Sequence, residues 1–427
     1  MTRVARWSFS IFLLFLGAVA LGLAAAFYWL VPTDRELAAR IVAAAQAQLG
    51  VKVTVGGAHL QLWPSVALTV QDFATVQPEP ISLKQVIARL RIAQLLKRQV
   101  IFEDVEFDGG VVPHLSLGEL HGQPGASPNA VAASVEEVRF RDITWVTRYG
   151  KTLPFEGHAS FGPQWRLRQA ELVRTGAQPP VVFELAEDGA DHWKLSSRVS
   201  GGTANGRIAL RKGEDGRLQL TGQVAPDKID AASALDAFKV HSPVRGRASG
   251  QTRLSATGTD VLQLAASLQT HTTFSISPAT LLHVDVDKAI RSLGSDRAGQ
   301  TPLRSLTGQM DTTNTVDGMV VRFTGLQAQG DSFTAKGGGT IAKRHVEGQM
   351  TVDVAGGLVG VPVKVSGPVA KPKVSVQTTA VAGAAAGAAI GTVVLPGVGT
   401  AIGAGVGGMI GKLFKPREPE PKGERAR

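Results

Sequence analysis

Between two long uncharged stretches, the chain alternates apolar and polar residues one by one. Val51, Val53 and Val55 alternate with Lys52 and Thr54, Leu60 and Leu62 flank Gln61, and Val66, Leu68 and Val70 alternate with Ala67, Thr69 and Gln71. A period of two sends successive side chains to opposite faces, so each run predicts a β-strand with one apolar face. The pattern returns in Val86, Ala88, Leu90 and Ile92 against Arg89 and Arg91, then in Val100, Phe102, Val105 and Phe107 against Glu103, Glu106 and Asp108. Asp104 breaks the phase there and predicts a bulge. Ahead of these strands, Thr33-Asp34-Arg35-Glu36 has capping-box spacing. It opens a short amphipathic helix that buries Leu37, Ile41 and Leu49 and stops at Gly50.

His121 to Ala130, rich in Gly, Pro, Ser and Asn, reads as an internal linker. From there to about Ser375 one-sided strands continue, with turn signals at Tyr149-Gly150, Glu187-Asp188-Gly189, Gly201-Gly202, Glu214-Asp215-Gly216 and Asp317-Gly318. Ala231 to Phe238 and Val284 to Leu293 are short helical breaks. The expected fold is mainly β and antiparallel. One-sided strands admit two architectures: two sheets burying their apolar faces together, or one long curved sheet whose apolar face stays open as a trough. Alternation alone does not separate them; the length of the β region favours the elongated trough. At roughly 12 to 16 residues per strand and turn, about 20 to 27 strands are expected, reaching on the order of 100 to 130 Å at about 4.8 Å spacing.

The first uncharged stretch runs from Trp7 to Thr33, 27 residues. As a helix it is long enough to cross a bilayer and longer than the apolar core of a cleaved signal peptide. Arg3 and Arg6 precede it and Asp34 follows, which orients the N-terminus to the cytoplasm and the remaining chain across the membrane. Trp7, Phe12, Leu16, Leu23, Tyr28 and Trp29 are its expected bilayer contacts, with Trp7, Tyr28 and Trp29 at the two ends. The second stretch runs from Val374 to Gly411, and its part from Val381 onward holds ten Gly and eight Ala. Gly383, Gly387 and Gly391, then Gly399, Gly403, Gly407 and Gly411, recur every four residues and form smooth helix faces for close packing. Pro396 divides this run into two pieces too short to span a bilayer alone, so a helical hairpin is expected, inserted in a membrane or self-associating.

Composition narrows the chemistry. The 427 residues include 49 Gly and 22 Pro, which disfavours long helical bundles, and no Cys, which removes disulfides, thiolate metal sites and cysteine nucleophiles. The net charge of +10 is dispersed, and suits anionic lipid surfaces better than nucleic acid. No G-x-S-x-G, Walker A or H-E-x-x-H sequence occurs. Gly403, Gly405 and Gly408 match G-x-G-x-x-G but lack a strand-turn-helix context. His283, Asp285 and Asp287 would share one face of a strand as metal ligands do, yet that segment reads equally as the start of a helix and a solvated edge. His192, beside Asp188 and Asp191, lies in a turn. Neither catalytic residues nor a metal or cofactor is expected.

Over residues 1 to about 115 the chain resembles the AsmA family of envelope proteins, relatives of TamB and other repeating β-groove lipid carriers. The resemblance rests on the single anchor, the helix ending Gln48-Leu49-Gly50, Leu60-Gln61-Leu62-Trp63-Pro64, the run Val66 to Phe73, Leu90 to Leu96 and Val100 to Val105. A second stretch, about 245 to 375, carries Leu306-Thr307-Gly308, Phe323 to Ala328, Gly337 to Ile341 and Val361 to Pro368; residues 116 to 244 are similar in strand character only. The divisions expected are an anchor (1–33), a helix with the start of the sheet (34–120), two further β regions (131–244 and 245–376), the Gly/Ala hairpin (380–414) and a charged tail (415–427). The resemblance implies an inner-membrane protein, with a single N-terminal pass and its bulk in the periplasm, that moves phospholipid toward the outer membrane. A scaffold assisting outer-membrane protein assembly is the alternative. The expected groove lining near the membrane is Val66, Leu68, Val70, Leu90, Ile92, Val100, Phe102 and Phe107. The Gly/Ala hairpin departs from the family pattern.

Overall fold

A computed structural model of the chain describes residues 33–61, 63, 65–91, 100–120, 133–163, 166–259, 261–292, 296, 298–315, 318–354, 358–369 and 372–376. The expected anchor, Ile92, the linker from His121 to Ala130 and the Gly/Ala run lie outside them. No helix among the described residues is long and apolar enough to cross a membrane.

Helix α1 (Asp34–Leu49) forms as its sequence dictates. The Thr33 side chain accepts from the Glu36 backbone N–H while Glu36 reaches back to the Thr33 backbone, and Gly50 closes the helix in a left-handed conformation, φ 69°. The chain then enters one sheet of 22 strands. The first eight are β1 (Val53–Thr54), β2 (Gly57–Gln61), β3 (Ala67–Thr75), β4 (Ser82–Leu90), β5 (Val100–Pro113), β6 (Ala133–Val146), β7 (Thr152–Phe161) and β8 (Leu167–Arg174). The next seven are β9 (Val181–Glu187), β10 (His192–Val199), β11 (Gly202–Lys212), β12 (Leu218–Asp227), β13 (Ile229–Asp230), β14 (Val244–Gly258) and β15 (Gln269–Leu281). The last seven are β16 (Thr301–Leu303), β17 (Ser305–Thr315), β18 (Gly318–Gln329), β19 (Phe333–Ala342), β20 (His345–Val354), β21 (Leu358–Pro368) and β22 (Lys373–Val376). Short helices interrupt them: α2 (His114–Leu117), α3 (Ala231–Asp236), α4 (Val261–Ser267) and α5 (Val286–Arg291).

Except at β1–β2, β12–β13 and β16–β17, each strand pairs with the next along the chain, and one sheet holds the strands on both sides of residues 121–132 and of residue 244. β1 and β2 share one edge of β3, β12 and β13 share one edge of β14, and β16 and β17 share one edge of β15. The 22 strands therefore occupy 19 positions, a contour of roughly 85 Å at about 4.8 Å spacing, shorter than a full position per strand gives. The bulge expected at Asp104 is present: Arg89 pairs with Asp104 and Leu90 with Phe102, leaving Glu103 as the extra residue.

The expectation of a wholly antiparallel sheet fails at one place. β6 pairs with β5 in parallel, Phe102 opposite Val135, Val105 opposite Val138 and Phe107 opposite Phe140. The parallel register keeps the apolar sides of both strands together. A parallel partner requires the chain to return along the full length of β5, and the residues between Pro113 and Ala133 are long enough to do so.

The sheet bends where glycine lets neighbouring backbones approach. A β-carbon at Gly250 of β14 would fall on the Thr273 carbonyl oxygen of β15, and one at Gly206 of β11 on that of Gln223. Only hydrogen fits there, so the strands coil more tightly at these points than any side chain permits. Twist accumulates at about 20 to 25° per strand. As a result the β6–β7 turn meets a turn more than ten strands further along: the Arg344 guanidinium, between β19 and β20, lies 5.3 Å from the centroid of the Tyr149 ring. Two predictions follow from this bending. Gly250→Val lowers the urea midpoint in proportion to a loss of about 1–3 kcal/mol, whereas Gln251→Val on the exposed face changes stability by under about 0.5 kcal/mol. In the cysteine-free chain, Tyr149→Cys with Arg344→Cys is joined by a short bismaleimide within one molecule, read as a shifted band on denaturing gels; a single-cysteine control shows none.

Candidate functional site: the inner face of the sheet

The two faces of the sheet differ in chemistry. On the outer face of β4, β5 and β6 charged side chains pair in a ladder: Arg89 with Asp104 at 2.5 Å and with Glu106 at 3.7 Å, Arg141 with Glu106 at 2.6 Å, and Arg91 with Glu136 at 2.7 Å. Arg139 donates twice to Glu137, at 2.9 and 2.8 Å, and this hydrogen bonding holds the Glu137 carboxyl below its ordinary pKa against the opposing effect of burial.

The inner face has two parts. Over the first eight strands it is filled: Phe73, Phe102, Phe107 and Phe140 are fully buried, and α1 adds Leu37, Ile41, Ala45 and Leu49 to the same core. Seven of the eight expected lining residues are here. Val66, Leu68, Val70, Leu90, Val100, Phe102 and Phe107 do share one face and one core, from 0% exposed at Leu68 to 9% at Val66. In this conformation they offer a ligand almost no free surface, because the phenylalanines and α1 occupy the space above them.

From β9 onward the inner face is less covered. Ile208, Leu210, Leu218 and Leu220 project from it half-buried, around the buried Leu195, Val224 and Leu254. Further along, Phe274, Leu306, Met350 and Val363 form a second apolar group around Ile276, Val352 and Val361. Large side chains here lie across glycines instead of standing upright. Phe274 pairs with Gly250 on one side and Gly308 on the other, and its ζ carbon lies 3.4 Å from where a β-carbon of residue 308 would be. The ring meets Phe323 edge-on at 6.4 Å. Sequence reasoning placed the lining at the membrane-proximal end and overlooked these positions. The signal for them was present in Ala204, Gly206, Ile208 and Leu210, where small residues precede large ones on one face.

The inner face also carries polar groups, among them Thr252 and Thr272, whose hydroxyls lie 3.1 Å apart. Arg174, at the end of β8, is buried and donates through Nη1 to the Pro154 carbonyl at 3.1 Å and to that of Thr175, with its guanidinium over the Phe155 ring. Burial lowers its pKa. Trp145 Nε1, Arg174 Nε and Thr312 Oγ1 are buried without a hydrogen-bond partner. His114 meets the Trp145 ring edge-on at 5.7 Å, and burial, then the charge of Arg148, push its pKa below 6.5.

The polar cluster noted in the sequence is dispersed by α5, which begins inside it. Asp285 accepts from the Lys288 backbone N–H at 2.9 Å as a helix cap, Asp287 accepts from Ser332 Oγ at 2.9 Å, and His283 sits in a turn with φ 67°. His192 contacts the carbonyl of Ala190 in its own turn. Among the described residues no three His, Asp or Glu side chains converge as metal ligands. An open polar cleft beside α3 is lined by Asp230, Asp236, His241, Arg245 and His283, and Asp230 serves there as the helix cap, accepting from Ser233 N at 2.7 Å.

Fold and site together describe a β protein built on one sheet with a charged outer face and an apolar inner face. Residues 380–418 match the family model Gly-zipper_Omp, described as a glycine zipper, and all seven glycines expected to pack helices fall inside the match. No curated protein and no solved structure matches the chain.

His114 gives this region a pH dependence of definite sign. Its folded pKa is lowered, so the unfolded chain binds the proton more readily; its stabilising effect is complete above about 6.5 and is lost as pH falls through the folded value. His114→Phe is expected to flatten the loss of thermal stability between neutral and mildly acidic pH, measured by circular dichroism melts across that range.

Proposed function

We propose that the protein is a non-enzymatic carrier, anchored in the inner membrane and extending into the periplasm, that holds phospholipid acyl chains along the inner face of its sheet and supports outer-membrane biogenesis. The observation that carries this reading is the half-buried row Ile208, Leu210, Leu218 and Leu220, with a second apolar group around Ile276, Val352 and Val361 further along the same face. Each lipid CH₂ buried against such a strip contributes about 0.8 kcal/mol, so a chain is held without a polar lock and without selection of one headgroup. The uncharged run Trp7–Thr33, the resemblance to the AsmA family and the glycine-zipper match at residues 380–418 all support an envelope setting.

The alternative, a scaffold for outer-membrane protein assembly, draws on a different feature. β22 pairs with β21 alone, so its other edge is free among the described residues to add a strand from another polypeptide. Lipid content separates the two. Leu220→Asp keeps the fold, since the side chain is half-buried, and lowers the phospholipid that co-purifies with the full chain, measured by mass spectrometry of the extract. Unchanged lipid in a folded variant sinks the carrier reading.

A further inference from the structure

Trp63, in the turn between β2 and β3, is 84% exposed. Its backbone is held in place, since Gln61 Nε2 donates to the Trp63 carbonyl at 2.8 Å. An indole presents a large apolar surface with one N–H donor, a combination suited to a boundary between apolar and wet surroundings. What lies beside it is fixed by α1. His59 Nδ1 is 3.3 Å from Asp34 Oδ2, so the first residue of α1 is level with the middle of β2. From His59 the chain runs four residues further to Trp63, up to roughly 13 Å at about 3.3 Å per residue. Trp63 therefore lies beyond His59 on the side from which the chain enters α1. The segment entering there is Trp7–Thr33, 27 residues without a charge.

We infer that Trp63 docks this end of the sheet on the membrane surface, with its indole in the headgroup region of the bilayer that Trp7–Thr33 crosses. The inference rests on the reading of that run as the membrane anchor. Trp is enriched at this depth because its ring prefers the apolar side while its N–H reaches water or lipid carbonyls. Two attachments, a helix and an indole beside it, fix the orientation of the sheet where a single helix leaves it free to swing. The β2–β3 end then faces the lipid, and the inner face begins at the bilayer surface.

The absence of native cysteine makes the test direct. Trp63→Cys, Leu16→Cys and Val240→Cys are each labelled with an environment-sensitive nitrobenzoxadiazole dye in the full chain. The proteins are reconstituted in vesicles of phosphatidylethanolamine and phosphatidylglycerol. Val240 is the solvent reference: it is exposed and adjoins Lys239, whose ammonium reaches Thr152 at the opposite end of the strands. The proposal expects quenching by a headgroup-level nitroxide lipid to be severalfold stronger at position 63 than at 240, and quenching by a deep nitroxide at position 16. If the label at 63 behaves like that at 240 while 16 is quenched, docking is wrong and the anchor stands. If 16 is also unquenched, the anchor reading fails and takes the docking with it. A blue-shifted label at 63 that no nitroxide lipid quenches places polypeptide over Trp63 and overturns the proposal.

Discussion

One steric constraint shapes the whole sheet: at Gly206 and Gly250 the neighbouring carbonyl oxygen occupies the place of a β-carbon. A flat sheet of 19 strand positions would leave its apolar face open to water along its whole length. Coiling turns that face inward and brings the Tyr149 turn against Arg344, more than ten strands away. The hydrogen side chain thus acts on shape over a distance far larger than itself. The same glycines give large neighbours such as Phe274 somewhere to lie.

The two ends of the inner face meet the hydrophobic effect differently. Near α1 the apolar side is sealed by aromatic rings and by the helix, and this part forms a core in the ordinary sense. Beyond β9 the apolar residues are interleaved with glycine, and half-buried side chains such as Ile208 and Leu220 surround the buried ones. A sealed part at the α1 end and a less covered part further along can serve different roles in one continuous sheet. They also separate stability from binding, since the residues that hold the protein together are largely distinct from those proposed to touch lipid. The outer ion pairs of Arg89, Arg91 and Arg141 lie on the face opposite the apolar one and keep it wetted.

Much of this was legible in the sequence where a local rule decides the outcome. The capping box at Thr33, the stop at Gly50, the extra residue beside Asp104 and the turn at Glu187-Asp188-Gly189 all depend on a few adjacent residues, and each appears as expected. The direction of β6 was not legible, because alternation is identical in parallel and antiparallel strands. The filling of the first part of the inner face was missed for a related reason: periodicity shows which side of Leu68 and Phe102 is apolar, but not what lies above it. Helix α2, four residues long, is too short to establish a helical period. Among His283, Asp285 and Asp287, a helix beginning inside the group gives Asp285 and Asp287 separate partners.

The central claim is that lipid occupies the inner face beyond β9. A photo-reactive benzoylphenylalanine at Leu210, on that face, compared with one at Gln219, exposed on the opposite face, tests it most directly in cells. The account predicts phospholipid adducts at 210 and few at 219, identified by mass spectrometry of the purified chain. Adducts to polypeptide at 210, or equal lipid labelling of both faces, would contradict it.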